Sequence, residues 1–195
     1  EVKDFFVFGC TVALRFSDLV ALKKTNLRLV NGQHYLSVRS KKTQTDTLIK
    51  LPPYAVAIIE RHKKKKRLLP HFNVVNLNKY IKLLLEQAGF VHPVQVTRNK
   101  RGIPMEQKIA SCSGSASQSQ LRFCDVATTH TMRRTAITTM LSLGMPEQVV
   151  RKISGHSASG KEFYRYVSWA QTYQDDETEK MFEKLKSKTF DRVVA

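Results

Sequence analysis

The sequence predicts a mixed α/β domain, mainly helical, with one small three-stranded antiparallel sheet. Three observations predict it. Apolar residues recur at helical spacing over most of the chain, as in Leu77, Ile81, Leu84 and Leu85. One region is β-rich instead, and it holds an Asn31-Gly32 pair between two alternating apolar runs. The 195 residues, 42% of them hydrophobic, suit one core, and no run approaches the roughly 20 apolar residues that cross a bilayer.

The elements follow in order. Val2 to Leu14, rich in Phe, Val and Leu, reads as a buried helix. Ser17-Asp18 supplies a cap and an early acid for a second helix, Asp18 to about Lys24, which puts Arg15 between two helices. Strands follow at 27–30, 35–38 and 47–51, with Lys41 and Lys42 at the tip of the second hairpin and Pro52-Pro53 as the stop. Pro53 to about Lys63 reads as a helix. It runs into the basic block Lys63-Lys64-Lys65-Lys66-Arg67, which suits a nuclear localisation signal or, better, a solvated helix end near phosphates. The stripe Leu77 to Ala88 makes another helix, closed by Gly89. From Phe90 to about Gln120 the periodicity dissolves, and 99–120 reads as a loop, either irregular and mobile or ordered by substrate. Met132, Ala136, Ile137, Met140 and Leu141 form a helix ended by Gly144. Pro146 suits the first turn of the next, which runs to Gly155. The aromatic run Phe163 to Trp169 and a last helix, about Asp176 to Lys186, complete the chain.

Charge narrows the partner. There are 33 Lys and Arg against 16 Asp and Glu, a net +17, and such an imbalance in a small domain implies a polyanion, double-stranded DNA first. Asp175, Asp176, Glu177 and Glu179 cluster at one helix start, where they complement the dipole rather than hold a metal. The six histidines lack metal-ligand spacing, and the three cysteines form no CxxC pair, so no metal and no cofactor is expected. RNA-binding RNP and GXXG patterns are absent.

Cleaving a phosphodiester without metal needs fixed cations around its oxygens, a nucleophile with a base, and an acid for the leaving group. His130-Thr131-Met132-Arg133 opens a helix, with His130 and Arg133 on one face and a helix N-terminus that favours an anion. Gly155-His156 stands 23 residues beyond Arg133, and Tyr166 another ten on. In order and spacing these segments resemble the tyrosine recombinases, the integrase family: an H-x-x-R segment, a G-H segment, then a tyrosine. The resemblance extends to an early arginine in Ala13-Leu14-Arg15-Phe16-Ser17-Asp18-Leu19 and a hairpin lysine in Ser40-Lys41-Lys42-Thr43, and so spans most of the chain. Arg133-Arg134 and Phe163-x-x-Tyr166-Val167 look most like integrases of bacterial mobile elements.

The resemblance implies the catalytic domain of an enzyme that cuts and rejoins DNA through a 3′-phosphotyrosyl link. Arg15 and Arg133 would clamp the phosphate, Tyr166 attack it, His130 act as base, His156 donate a hydrogen bond, and Lys42 protonate the 5′ oxygen. Tyr164 stays an alternative to Tyr166, because the histidine-to-tyrosine spacing exceeds the family's by one, and Lys41 an alternative to Lys42. Lys41, Arg134, Lys63, Lys64, Lys65 and Arg67 would bind DNA phosphates. The resemblance further implies a missing N-terminal DNA-clamping domain, weak and salt-sensitive DNA binding by 1–195 alone, a tetramer on paired sites with Met181, Phe182 and Leu185 docking on a neighbour, and a bacterial cytoplasmic, nucleoid-associated setting. Two rivals stand beside it. Thr135 to Gly155 also resembles a helix-turn-helix, which would bind DNA without cutting it, and a type IB topoisomerase would use the same chemistry to relax supercoils.

Overall fold

The computed structural model describes residues 1–41, 44–64, 67–94, 97–100, 103–106, 121–157, 160–168, 170, 175 and 178–183. Helix α1 (Val2–Val12) buries Phe5, Phe8, Gly9 and Val12, a one-sided stripe that faces the rest of the fold. The chain then turns at Ala13, which takes a left-handed φ of 56°. Helix α2 is shorter than its sequence suggests. It spans Phe16–Ala21 with Arg15 as the capping residue, and Lys24–Asn26 forms a separate 3-10 turn. Asp18 is not a solvated dipole partner but a buried acid, because the β2–β3 turn packs onto it.

Strands β1 (Leu27–Val30), β2 (Gln33–Arg39) and β3 (Asp46–Lys50) form the expected antiparallel sheet in that order. Asn31 and Gly32 both have positive φ, at 49° and 72°, so the first hairpin closes with the twist its strands require. Leu36 pairs between Leu27 and Ile49, and this row faces the core with Val38. Leu48 points outward, 54% exposed. Helices α3 (Pro53–Arg61) and α4 (Val74–Gln87) complete the first core with Ile58, Ile59, Leu77, Ile81 and Leu85.

Strands β4 (Thr97–Lys100) and β5 (Ile103–Glu106) pair as a hairpin inside the stretch read from sequence as irregular. The alternation there is too polar to register as a strand pattern. Residues 107–120 lie outside the described residues, and of the expected last helix 178–183 are described and helical. Short α5 (Phe123–Val126) leads to α6 (Thr129–Ser142), and α7 (Glu147–Ser154) follows one turn later, with Pro146 as its cap rather than its first helical residue. Ala136, Ile137, Val150 and Phe163 form a second core, and residues 164–168 are helical.

Helix α1 packs directly against α6, the helix that carries Arg133. A Cβ on Gly9 would lie 2.6 Å from the sulfur of the fully buried Met132, the neighbour of Arg133. Gly9→Ala gains about 1 kcal/mol of helix propensity and loses about 1–3 kcal/mol to overpacking. The expected outcome in urea unfolding is a lower midpoint, because Met132 must move at its Cβ and Cγ as well as its sulfur. An unchanged or higher midpoint would show that α6 yields freely there.

Candidate active site

Four distant segments meet at one place. Arg15 caps α2, where the chain leaves the left-handed turn at Ala13. Its Nη1 donates to Ser40 Oγ at 3.2 Å and its Nη2 to the Gly155 carbonyl at 3.2 Å. Ser40 closes β2 and donates to Asp18 at 3.4 Å, while the Lys41 backbone N–H donates to the other Asp18 oxygen at 3.2 Å. The buried acid therefore holds both the lysine-bearing hairpin and, through Ser40, the Arg15 guanidinium.

Arg133 projects from α6 and is buried. Its Nη1 donates to the Ala13 carbonyl at 2.9 Å, and its Nη2 lies 3.1 Å from His156 Nε2 and 3.3 Å from its Nδ1. The Tyr166 side chain hydrogen-bonds to Arg133 as well. The Tyr166 ring sits 5.7 Å from the His156 ring and 5.9 Å from Phe163. Tyr164 goes elsewhere: it is 58% exposed and lies under the Arg151 guanidinium. The ten-residue interval after His156 thus brings Tyr166, not Tyr164, to Arg133. Arg151 is tied to Glu147 at 2.7 Å and to the Ser157 carbonyl at 3.0 Å, and it covers Phe163 at 4.2 Å. It fastens the connection between His156 and Tyr166.

His130 is exposed in the first turn of α6, near enough to oppose a charge on His156. The expectation that this helix end itself takes an anion is not met. Its first donors are already used: Thr129 N–H by Asn78, His130 N–H by Thr128 Oγ1, and Thr131 N–H by the Thr128 carbonyl. Any anion is left to the side chains.

The remaining residues divide. Lys41 and Arg134 are exposed. Lys63 pairs with Glu60 at 3.8 Å, Lys64 is exposed, and Arg67 donates to the Val20 carbonyl at 3.0 Å. This group gathers around the ends of α2 and α3 rather than around Arg133. Lys42 and Lys65 lie outside the described residues. Sequence reasoning undervalued Asp18 and passed over Ser40, Ser154 and Arg151. Only Asp18 carried a readable signal, three residues after Arg15 on one helix.

The electrostatics are those of a crowded cationic site. Burial, with Arg15 beside it, pulls Arg133 down to about 10, so it stays charged at neutral pH. Burial, then the charges of Arg133, Arg15, Arg151 and His130, pulls the His156 imidazole down to about 4. His156 is therefore neutral at pH 7. Below the ordinary histidine range the unfolded chain takes this proton and the folded chain does not, so His156 makes stability fall from about pH 6.5 towards pH 4. His156→Gln should flatten that part of a melting-temperature profile. An equally steep profile in the variant would assign the slope to other groups.

Two buried or half-buried guanidiniums, a neutral imidazole and a phenol can together hold an anionic tetrahedral group with the hydroxyl beside it. The family model described as the phage integrase family matches residues 3–172, which include every one of these groups. The chain belongs to the phage integrase family.

Solved structures agree on the fold. The chain is similar to the XerH site-specific recombinase in a post-cleavage complex with its palindromic difH substrate. The TM-score is 0.60 at 13% identity, over 94% of this chain and 46% of that one. It is similar to XerA recombinase, with a TM-score of 0.54 at 16% identity, over 94% of this chain and 62% of that one. It is similar to the Tn1549 transposon integrase in complex with circular intermediate DNA, with a TM-score of 0.53 at 16% identity, over 84% and 52%. The chain spans about half the length of these structures. Among curated proteins no sequence matches it significantly. Among the described residues no helix is long and apolar enough to cross a membrane.

Proposed function

We propose that this chain supplies the strand-cleavage and rejoining chemistry of site-specific DNA recombination. The observation that carries the reading is the meeting of Arg15, Arg133, His156 and Tyr166, drawn from positions up to 151 residues apart, within the span of the phage integrase family. Arg15 and Arg133 grip the non-bridging oxygens of the scissile phosphate. The Tyr166 oxygen attacks phosphorus, and its proton passes to His130. His156 donates to a phosphate oxygen. Lys42 gives a proton to the departing 5′ oxygen. A 3′-phosphotyrosyl ester and a free 5′ hydroxyl result, and attack by a second 5′ hydroxyl reverses the step with no change in bond energy, so neither ATP nor metal is required. Lys41, Arg134, Lys63, Lys64, Lys65 and Arg67 hold flanking phosphates by charge, which makes binding fall steeply with salt. The working assembly is a tetramer on paired duplex sites, with the hydrophobic residues Met181, Phe182 and Leu185 docking on a neighbour, in a bacterial cytoplasm at the nucleoid. That α6 and α7 form two helices about a turn at Gly144 does not favour a purely DNA-binding module, because Arg133 and Arg151 face inward from both.

The test is capture. The chain is incubated with a randomised pool of nicked duplex oligonucleotides, and protein-bound DNA is recovered under denaturing conditions. A covalent adduct joined through a 3′ phosphate is expected, and its absence for the wild-type chain in this and in a longer natural context would overturn the reading. Once a site is recovered, Lys42 has its own signature. Lys42→Ala should slow cleavage at an ordinary phosphate by about 10²–10⁴-fold. A sulfur in place of the bridging 5′ oxygen should restore the rate, since a thiolate leaves without protonation. No rescue by sulfur would remove Lys42 from the acid's role.

A further inference from the structure

Ser154 is buried two residues before His156, at the end of α7. Its hydroxyl oxygen lies 2.7 Å from the Val150 carbonyl, 3.3 Å from the Arg151 carbonyl and 2.8 Å from His156 Nδ1. A serine has one proton to give, and a carbonyl can only accept. One arrangement serves both short contacts: the hydroxyl donates to Val150, and Nδ1–H of His156 donates to the hydroxyl oxygen. The ring then carries its proton on Nδ1. Its other nitrogen, Nε2, then carries only a lone pair, and Arg133 Nη2 packs against this side of the ring, 3.1 Å from Nε2 and 3.3 Å from Nδ1. The chain of donors thus runs from His156 to Ser154 to the backbone of α7.

We propose that Ser154 is a positioning residue that fixes His156 in its Nδ1–H form, so that Nε2 stays bare until the ring takes up a second proton. The functional half rests on the reading of His156 as a donor to phosphate. Neutral His156 in this form has no proton on Nε2 to donate. It gains one when an anion enters, because the groups facing the ring are Arg133 and His130 from α6, Arg15 from the start of α2, Arg151 from α7, and the rings of Phe163 and Tyr166. The cations among them disfavour the extra proton, and a phosphate among them offsets that charge. Binding of the scissile phosphate is therefore coupled to uptake of one proton at His156.

Nitrogen-15 NMR of histidine-labelled chain, with His156 identified by comparison with His156→Gln, reads the tautomer directly. At pH 7 the wild-type chain should show a protonated Nδ1 and a bare Nε2. Ser154→Ala should shift the ring towards the Nε2–H form, and Ser154→Thr, which keeps the hydroxyl, should retain the wild-type pattern. On the DNA site recovered by capture, the alkaline limb of wild-type adduct formation reports loss of the second proton. In Ser154→Ala that limb should move to lower pH by about one unit, because the doubly protonated ring has lost an acceptor. A merely structural role would lower the yield of folded protein and leave the limb in place. A protonated Nε2 with a bare Nδ1 in the wild-type chain, or a Ser154→Ala variant with unchanged nitrogen pattern and limb, would overturn the proposal. Failure of the wild-type chain to form any adduct would overturn the recombination reading instead, and the nitrogen pattern would still decide the assignment of Ser154.

Discussion

Tyr166→Phe is expected to eliminate the covalent protein–DNA adduct. Removing the nucleophile from a covalent enzyme costs on the order of 10⁶ in turnover, far more than any binding contact. The substitution deletes one oxygen. The ring of residue 166 still packs between His156 and Phe163, and the guanidinium of Arg133 keeps its bonds to Ala13 and His156. Folding should therefore change by no more than about 1 kcal/mol, the usual net worth of one hydrogen bond, and DNA retention on a filter should stay within a few-fold. Tyr164→Phe is the control. That tyrosine is exposed beside Arg151, and its variant should form the adduct at near the wild-type rate. Gel detection of labelled adduct distinguishes the two. An adduct that persists in Tyr166→Phe and vanishes in Tyr164→Phe would reverse the assignment.

Arg133→Met should separate stability from chemistry. The guanidinium is held in the interior beside a second arginine, and burial together with that neighbour pulls its acidity up enough to bring it down to about 10. A group so disfavoured in its charged state contributes less to folding than its contacts suggest. Replacing a buried charge by an apolar side chain of similar reach is often neutral or stabilising. The opposing effect is the Ala13 carbonyl, which loses its donor at a cost of about 1–3 kcal/mol. The two nearly cancel, so the urea midpoint should move little. Adduct formation should fall by at least about 10²–10³-fold, the cost of one preorganised donor to a developing oxyanion. Arg133→Lys should not restore it. An ammonium cannot reach Ala13 and His156 at once while facing a phosphate with a planar fork. A lysine variant with near wild-type activity would show that charge alone suffices at this position.

Much of the fold was legible because its signals are local. The Asn31-Gly32 pair encodes its own turn, since both residues tolerate positive φ and the flanking alternation selects which face goes inward. The α4 stripe is likewise self-contained, with Leu77, Ile81 and Leu85 on one face and Asn73 capping its start. Strands β4 and β5 escape the sequence reading because Thr97 to Glu106 holds few apolar residues and shows no apolar–polar alternation. The start of α2 was misplaced for a related reason. Ser17 and Asp18 have the composition of a cap, but Asp18 is drawn inward by Ser40 and Lys41, which are distant in sequence.

By itself the sequence determined the element types, the spacing of the arginine, histidine and tyrosine segments, and the family that this order of segments marks. Tertiary structure alone decided which tyrosine stands beside Arg133 and which acid supports Arg15. Turns and helix faces depend on neighbours a few residues away, so they are written in short stretches of sequence. The state of a buried polar group depends on donors and acceptors brought from 20 to 140 residues distant, as Arg15 and Gly155 are, and only the folded chain brings them within hydrogen-bonding range.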